Sequence, residues 1–203
     1  MASVRQQLVE GVKKAAEEAV AKTGCSVNDL PEYFMAVKVA DHVFDTMQTY
    51  AFTMEDSFQA LCEEVGIEQL PEECRGSGRA DLVLRSLKTG RVRHVVEFKR
   101  SIKKAELKKD AIRLAKLCQL APEQHRIEKN FLVAVTHASD GVAADRELEI
   151  REWLDEADLD DVAVKAIEID LSEYLSTKMK RNGEQSGREL VGRVWQFKYN
   201  PGI

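Results

Sequence analysis

The chain has little that would place it in a membrane or an oxidising compartment. No apolar run approaches the ~20 residues that a membrane-spanning helix needs, so a transmembrane span is not expected. Residues 1–14 carry no apolar block of the secretory-leader kind. Cys25, Cys62, Cys74 and Cys118 are scattered without a Cys-x-x-Cys pair, which argues against a zinc site and a disulfide framework and for a reducing cytoplasm. Gly76-Ser77-Gly78 is not followed by Gly-Lys-Ser/Thr, so it reads as a flexible entry to a strand rather than a phosphate-cradling loop. Internal repeats and long linkers are also missing. What remains is a 203-residue chain, 44% hydrophobic and 32% charged, which suits one soluble domain with a real core. The whole chain is read as a single domain: an N-terminal helix over about 3–23, a core over about 28–140, and a C-terminal extension of the sheet over about 141–203.

The most informative stretch is Gly78-Arg79-Ala80-Asp81-Leu82-Val83-Leu84, a polar turn, then Val95-Val96-Glu97-Phe98-Lys99-Arg100. Both ends have the apolar, partly β-branched character of short strands. Leu87 to Arg91 forms the loop between them, with Gly90 free to take positive φ. A loop centred on Thr89 sets Val83 across from Val95 and Asp81 across from Glu97. Opposed residues share a face, with Cβ atoms roughly 4.5–5.5 Å apart, and Lys99 joins that face two residues on. Two carboxylates at that range repel when ionised, and a proton or a cation must offset them. A hard divalent ion such as Mg²⁺ (or Mn²⁺) suits oxygen ligands and keeps waters for chemistry. Lys99 would orient the attacking water or stabilise charge on a phosphate. The plainer alternative is a surface hairpin with cross-strand ion pairs.

Asp81 followed by Glu97-Phe98-Lys99, on consecutive strands of a hairpin that leads into a helix, resembles the PD-(D/E)xK, or restriction-endonuclease-like, nuclease superfamily. Ala80 stands where that motif has its proline. The resemblance covers roughly residues 30–140. It implies an αβββαβ core, phosphodiester hydrolysis assisted by Mg²⁺ or Mn²⁺, metal ligation by Asp81 and Glu97, and a catalytic role for Lys99. Members often place a further acid on the helix before the sheet. Glu32 is the candidate here, with Glu55 as runner-up; an acid in a first helical turn also simply favours the macrodipole.

The other elements follow from pattern. Val4 to Lys22 is an amphipathic helix ended near Gly24. A second helix starts at Asn28-Asp29-Leu30-Pro31-Glu32 and runs to about Met47, with Phe34, Val37, Val43, Phe44 and Met47 as its apolar face. Tyr50-Phe52-Met54 alternates as a first strand, and Asp56 to Val65 reads as a short helix closed by Gly66. Ile102 to Leu120 is the helix after the motif, stopped by Pro122. The apolar run Phe131 to Thr136 suits a strand buried on both faces and paired parallel. Asp140 to Leu159 holds a helix with Leu148, Ile150 and Trp153 inward. Val162 to Ile169 is a strand, Leu171 to Lys178 a short helix, residues 180–188 a polar loop, and Val191 to Tyr199 an edge strand. The fold class is therefore α/β, a mixed central sheet flanked by helices.

Charge is unevenly distributed. From Arg75 to Lys116 there are 14 basic residues and 4 acidic ones, a net +10, while the whole chain is −5, leaving −15 on the remainder. A basic stripe beside an acidic pocket suits a phosphate backbone held over a metal site. Arg79, Arg100, Lys103 and Lys104 are the candidate nucleic-acid contacts, with DNA the expected partner and a second copy or another protein as a source of target choice. Two other functions fit the same sequence: a catalytically inactive nuclease-fold binding module, and a protein-interaction domain that works through its acidic remainder.

Overall fold

The computed structural model describes residues 3–75, 78–176 and 189–200. Its order is α1 (Val4–Thr23), α2 (Glu32–Thr46), β1 (Tyr50–Thr53), β2 (Asp56–Ser57), α3 (Phe58–Val65), β3 (Arg79–Ala80), β4 (Leu82–Ser86), β5 (Val92–Lys99), α4 (Lys104–Leu120), β6 (Asn130–Thr136), α5 (Asp140–Asp155), β7 (Val162–Asp170) and β8 (Val191–Tyr199). Six strands form one mixed sheet in the order β1-β4-β5-β6-β8-β7, and β2 and β3 pair separately. β5 and β6 run parallel through the α4 crossover, and the other neighbours in the large sheet are antiparallel. Helices cover both faces. α1 and α2 pack on Leu82, Leu84, Val96, Phe98, Phe131 and Val133. On the other face α3, α4 and α5 pack on Val83, Val95, Leu132, Ala134, Trp195 and Phe197.

Local sequence explains most boundaries. α1 opens with a capping box between Ser3 and Gln6 and closes at Gly24, whose φ of 68° is left-handed. β6 is buried at all seven positions, as an unalternating apolar strand between two neighbours must be. Val83 lies opposite Val95 and Leu82 opposite Val96, in the expected hairpin register. A bulge between Leu84 and Arg85 takes up one residue before the turn, where Gly90 has a φ of 70°.

Several expectations are corrected. α2 has no side-chain cap; residues 27–29 form a 3₁₀ turn and Pro31 precedes the helix. Its buried face is Met35, Ala36, Val39, Ala40 and Val43, because α1 covers that side, while Phe44 is half exposed with its ring edge on Phe52. Asp56 and Ser57 are extended, pairing with Ala80 and Arg79, and α3 begins only at Phe58 with Ser57 accepting from the Ala60 N–H. Leu148 on α5 is exposed, unlike Ile150 and Trp153. β8 is not an edge strand: it inserts between β6 and β7, so Trp195 and Phe197 are fully buried and β7 is the edge. Residues 171–176 are not helical, and 177–178 and the 180–188 loop lie outside the described residues.

Gly192 on β8 faces Ile169 on β7, and a Cβ there would meet the Ile169 Cβ at 2.8 Å. Gly192→Ala is therefore expected to destabilise the fold by about 1–3 kcal/mol, read as a fall of several degrees in melting temperature.

Candidate active site

The site lies where β4 leaves the sheet. β3 ends at Ala80 and β4 begins at Leu82, so Asp81 occupies the break between the two sheets. Without a strand partner at that level, the Phe98 N–H donates instead to the Asp81 carboxylate, at 2.7 Å. Asp81 thus completes the β5 ladder through its side chain, not as a strand residue opposite Glu97 as the hairpin spacing predicts. Glu97 follows Val95 on the α4 face of β5 and is only 3% exposed. One of its oxygens, Oε1, is buried without a hydrogen-bond partner among the described residues. The other lies 3.4 Å from the Lys99 Nζ.

Lys99 is the hub. Its ammonium donates to the Phe98 carbonyl at 2.9 Å and is 3.2 Å from Asp110 Oδ2 and 3.8 Å from Glu32 Oε1. Glu32 reaches the group from the first turn of α2, and its second oxygen accepts from the Arg100 N–H at 2.9 Å. The structure therefore brings Glu32, Glu97 and Lys99 into one cluster, with Asp81 close enough for its charge to bear on Glu97 and Lys99. Glu55, the alternative to Glu32, is exposed, has a φ of 61°, and contributes its carbonyl to Arg79.

Sequence reasoning missed Asp110 and Arg113. Both are buried on α4 and paired at 3.2 Å. The signal was present: Asp110 falls between Leu107 and Leu114 at helical spacing, a charge on the face that should be apolar. Arg113 sits over the Phe58 ring, its Cζ 4.7 Å from the centroid, donates to the Glu73 carbonyl, and occupies the space that a side chain at Gly78 would need.

The electrostatics follow from burial. Glu32, Asp81, Glu97 and Asp110 face two cations, Lys99 and Arg113, a formal −2 if all are ionised. Burial lifts the Asp81 carboxyl to about 6, against the bond from Phe98 N–H. Burial, then the charges of Asp81 and Asp110, push Glu97 well above the carboxylate range. Burial works against the Lys99 charge, but Glu97, Asp110, Asp81 and Glu32 outweigh it and keep the amine protonated.

Comparison of the chain with protein-family models, curated proteins and solved structures returned no match. Among the described residues, no group of three or more His, Cys, Asp or Glu side chains converges as a metal cage. The donor set is instead two oxygen-bearing groups, Asp81 and Glu97, with an orphaned oxygen and surplus negative charge. That fits Mg²⁺, which takes one or two carboxylates and keeps the rest of its shell for water and phosphate.

The candidate nucleic-acid contacts are dispersed. Arg79 and Arg100 are exposed on either side of the cluster, each guanidinium donating to a carbonyl, of Glu55 and Leu30 respectively. Lys103 and Lys104 are exposed at the start of α4, beside Glu106 and Glu149. Much of the basic stripe is answered by the acidic remainder: Arg85 by Asp56 and Glu64, Arg93 by Glu128, Lys108 by Glu156, Lys116 by Glu73. The +10 segment and the −15 remainder thus interlock rather than form two opposed surfaces.

Two outcomes follow. Because the folded-state pKa of Asp81 is raised, its favourable contribution is complete below about pH 4 and is lost as pH rises through about 6. Asp81→Asn keeps an acceptor for Phe98 N–H and removes that penalty, so at neutral pH it should stabilise the metal-free protein by about 1–3 kcal/mol, measured by urea denaturation in EDTA. Asp110→Ala should instead destabilise by about 3–5 kcal/mol, because Arg113 is left buried without its carboxylate.

Proposed function

We propose that the protein is a metal-dependent nuclease that hydrolyses phosphodiester bonds, with DNA as the preferred substrate. The observation that carries this reading is the buried Glu97 with its unpartnered oxygen, held between a second carboxylate, Asp81, and the ammonium of Lys99. A simple surface ion pair has no use for a buried carboxylate that is half unsatisfied. A divalent cation, when bound, supplies charge neutralisation at a phosphate oxygen and a more acidic water. Asp81 and Glu97 would hold that cation, releasing their protons to solvent as it binds. Lys99, fixed by the Phe98 carbonyl and Asp110, presents a permanent positive charge to the attacked phosphate and orients the nucleophilic water. Glu32 limits the swing of the lysine from the α2 side and ties the Arg100 backbone to the site rim. Arg79 and Arg100 flank the cluster where a strand would pass. Four free thiols among the described residues suit the reducing cytoplasm expected from sequence. A second copy or a protein partner would supply target choice.

A binding module that keeps the fold without turnover is the second reading. It is favoured by the absence, among the described residues, of a third convergent metal donor. The two readings separate in one assay. Purified protein with plasmid and with oligonucleotide, in Mg²⁺ or Mn²⁺ against EDTA, should cleave only with the ion. Asp81→Ala and Lys99→Ala should each lower the rate by about 10²-fold or more. Cleavage that is unchanged in either variant sinks the nuclease assignment, and salt-sensitive binding with no cleavage supports the module.

The metal should also register without catalysis. Ion-induced stabilisation in a thermal melt should grow as pH rises through about 6, where the proton leaves Asp81. It should vanish in Glu97→Gln.

A further inference from the structure

The end of the sheet remote from Lys99 carries a charge arrangement that the nuclease site does not explain. An open cleft of about 260 Å³ is lined by Ser3, Arg5, Lys129, Lys165, Gln196 and Lys198. Strand register accounts for the convergence. Lys165 lies directly opposite Gln196, and Phe131 pairs with Gln196 from the other side. Lys129 and Lys198 continue that ladder by two residues, so all three lysines project from the α1 face of the sheet. α1 starts over the same spot and adds Arg5, together with the first-turn N–H groups of a 20-residue helix.

Four cations therefore meet with no acid in the lining, in a chain whose net charge is −5. Like charges facing one another across strands are destabilising unless something offsets them. Among the described residues, none of these four cations has a carboxylate partner. Glu128, next to Lys129 in the chain, is engaged by Arg93. This contrasts with the basic stripe near the nuclease site, where acids answer most of the cations. Gln196 is the independent sign of a ligand. It is 8% exposed, lines the cleft, and its amide has no hydrogen-bond partner among the described residues. The residue is largely buried, yet its amide keeps contact with the cleft and is open to a ligand.

We infer that this cleft is a binding site for clustered phosphate groups, built from Arg5, Lys129, Lys165, Lys198 and the Gln196 amide. The lysines supply charge, the guanidinium a directional donor pair, the amide N–H a further hydrogen bond, and the helix start a positive partial charge. The phosphates come either from a nucleic-acid backbone or from a small polyphosphate. The cleft sits on the opposite face of the sheet from Glu97 and at the other end of the strands. A ligand there is held independently of the metal site, and the inference stands whether or not the protein cuts nucleic acid.

Fluorescence anisotropy with a labelled single-stranded oligonucleotide, in EDTA and low salt, tests it, with inorganic tripolyphosphate as competitor and as a calorimetric ligand by itself. Oligonucleotide binding displaced by tripolyphosphate identifies a strand as the source of the phosphates. Calorimetric binding of tripolyphosphate without oligonucleotide binding identifies a small ligand. In either case Lys129→Gln combined with Lys198→Gln should weaken binding about tenfold and flatten the salt dependence by roughly one to two units of log–log slope. Lys22→Gln with Arg151→Gln, at exposed positions outside both the cleft and the Lys99 cluster, should leave it unchanged, with melting temperatures confirming that each variant is folded. Absence of binding by both ligands, or wild-type affinity in the Lys129/Lys198 double variant, overturns the inference.

Discussion

A carboxylate buried without enough partners is the constraint on which the functional end of this molecule depends. Glu97 is held on an interior strand by packing on every side, so it cannot turn to water. Its neighbours are chosen by that confinement: an ammonium two residues on, a second acid in the gap left by β4, and the Asp110–Arg113 pair on the helix above. The cluster retains more acid than base, and only protons or a cation can settle the difference. The cluster left with all four acids ionised and nothing to offset them is therefore the costly state.

The rest of the architecture positions that strand. β5 is central, hydrogen-bonded antiparallel to β4 and parallel to β6. α4 is the crossover between the parallel pair, which sets Asp110 over Lys99. α2 arrives from the opposite face, so Glu32 and Asp110 approach the same amine from the two layers that sandwich the sheet. Arg113 then ties the cluster to Glu73 through its carbonyl and packs close to Gly78, the approach to Asp81. The site is shared by three layers, and its stability and its chemistry are hard to alter separately.

Charge is handled differently at the two ends of the sheet. Near Lys99 most cations have acidic partners from elsewhere in the chain, and the net positive segment is woven into the net negative remainder. At the start of α1 the cations are left unanswered around an unpaired amide. Counting along the chain detected the first group and overlooked the second, because Arg5, Lys129, Lys165 and Lys198 are far apart in sequence and meet only through strand register.

The sequence by itself determined most of the elements, the hairpin register and the shared face of Glu97 and Lys99, since these rest on local periodicity, a turn glycine and a two-residue repeat. It also determined that Phe131 to Thr136 is an interior parallel strand, because only burial on both faces tolerates so unbroken an apolar run. Tertiary structure alone decided the rest. Which face of α2 is inward depended on where α1 lay, so Met35 is buried and Phe44 is not. The placing of β8 between β6 and β7 depended on long-range pairing, and it turned an expected edge strand into core. Asp110 and Arg113 became site residues only when the crossover set α4 above β5. Local pattern reports what a segment wants to bury; contacts between distant segments decide what it is buried against.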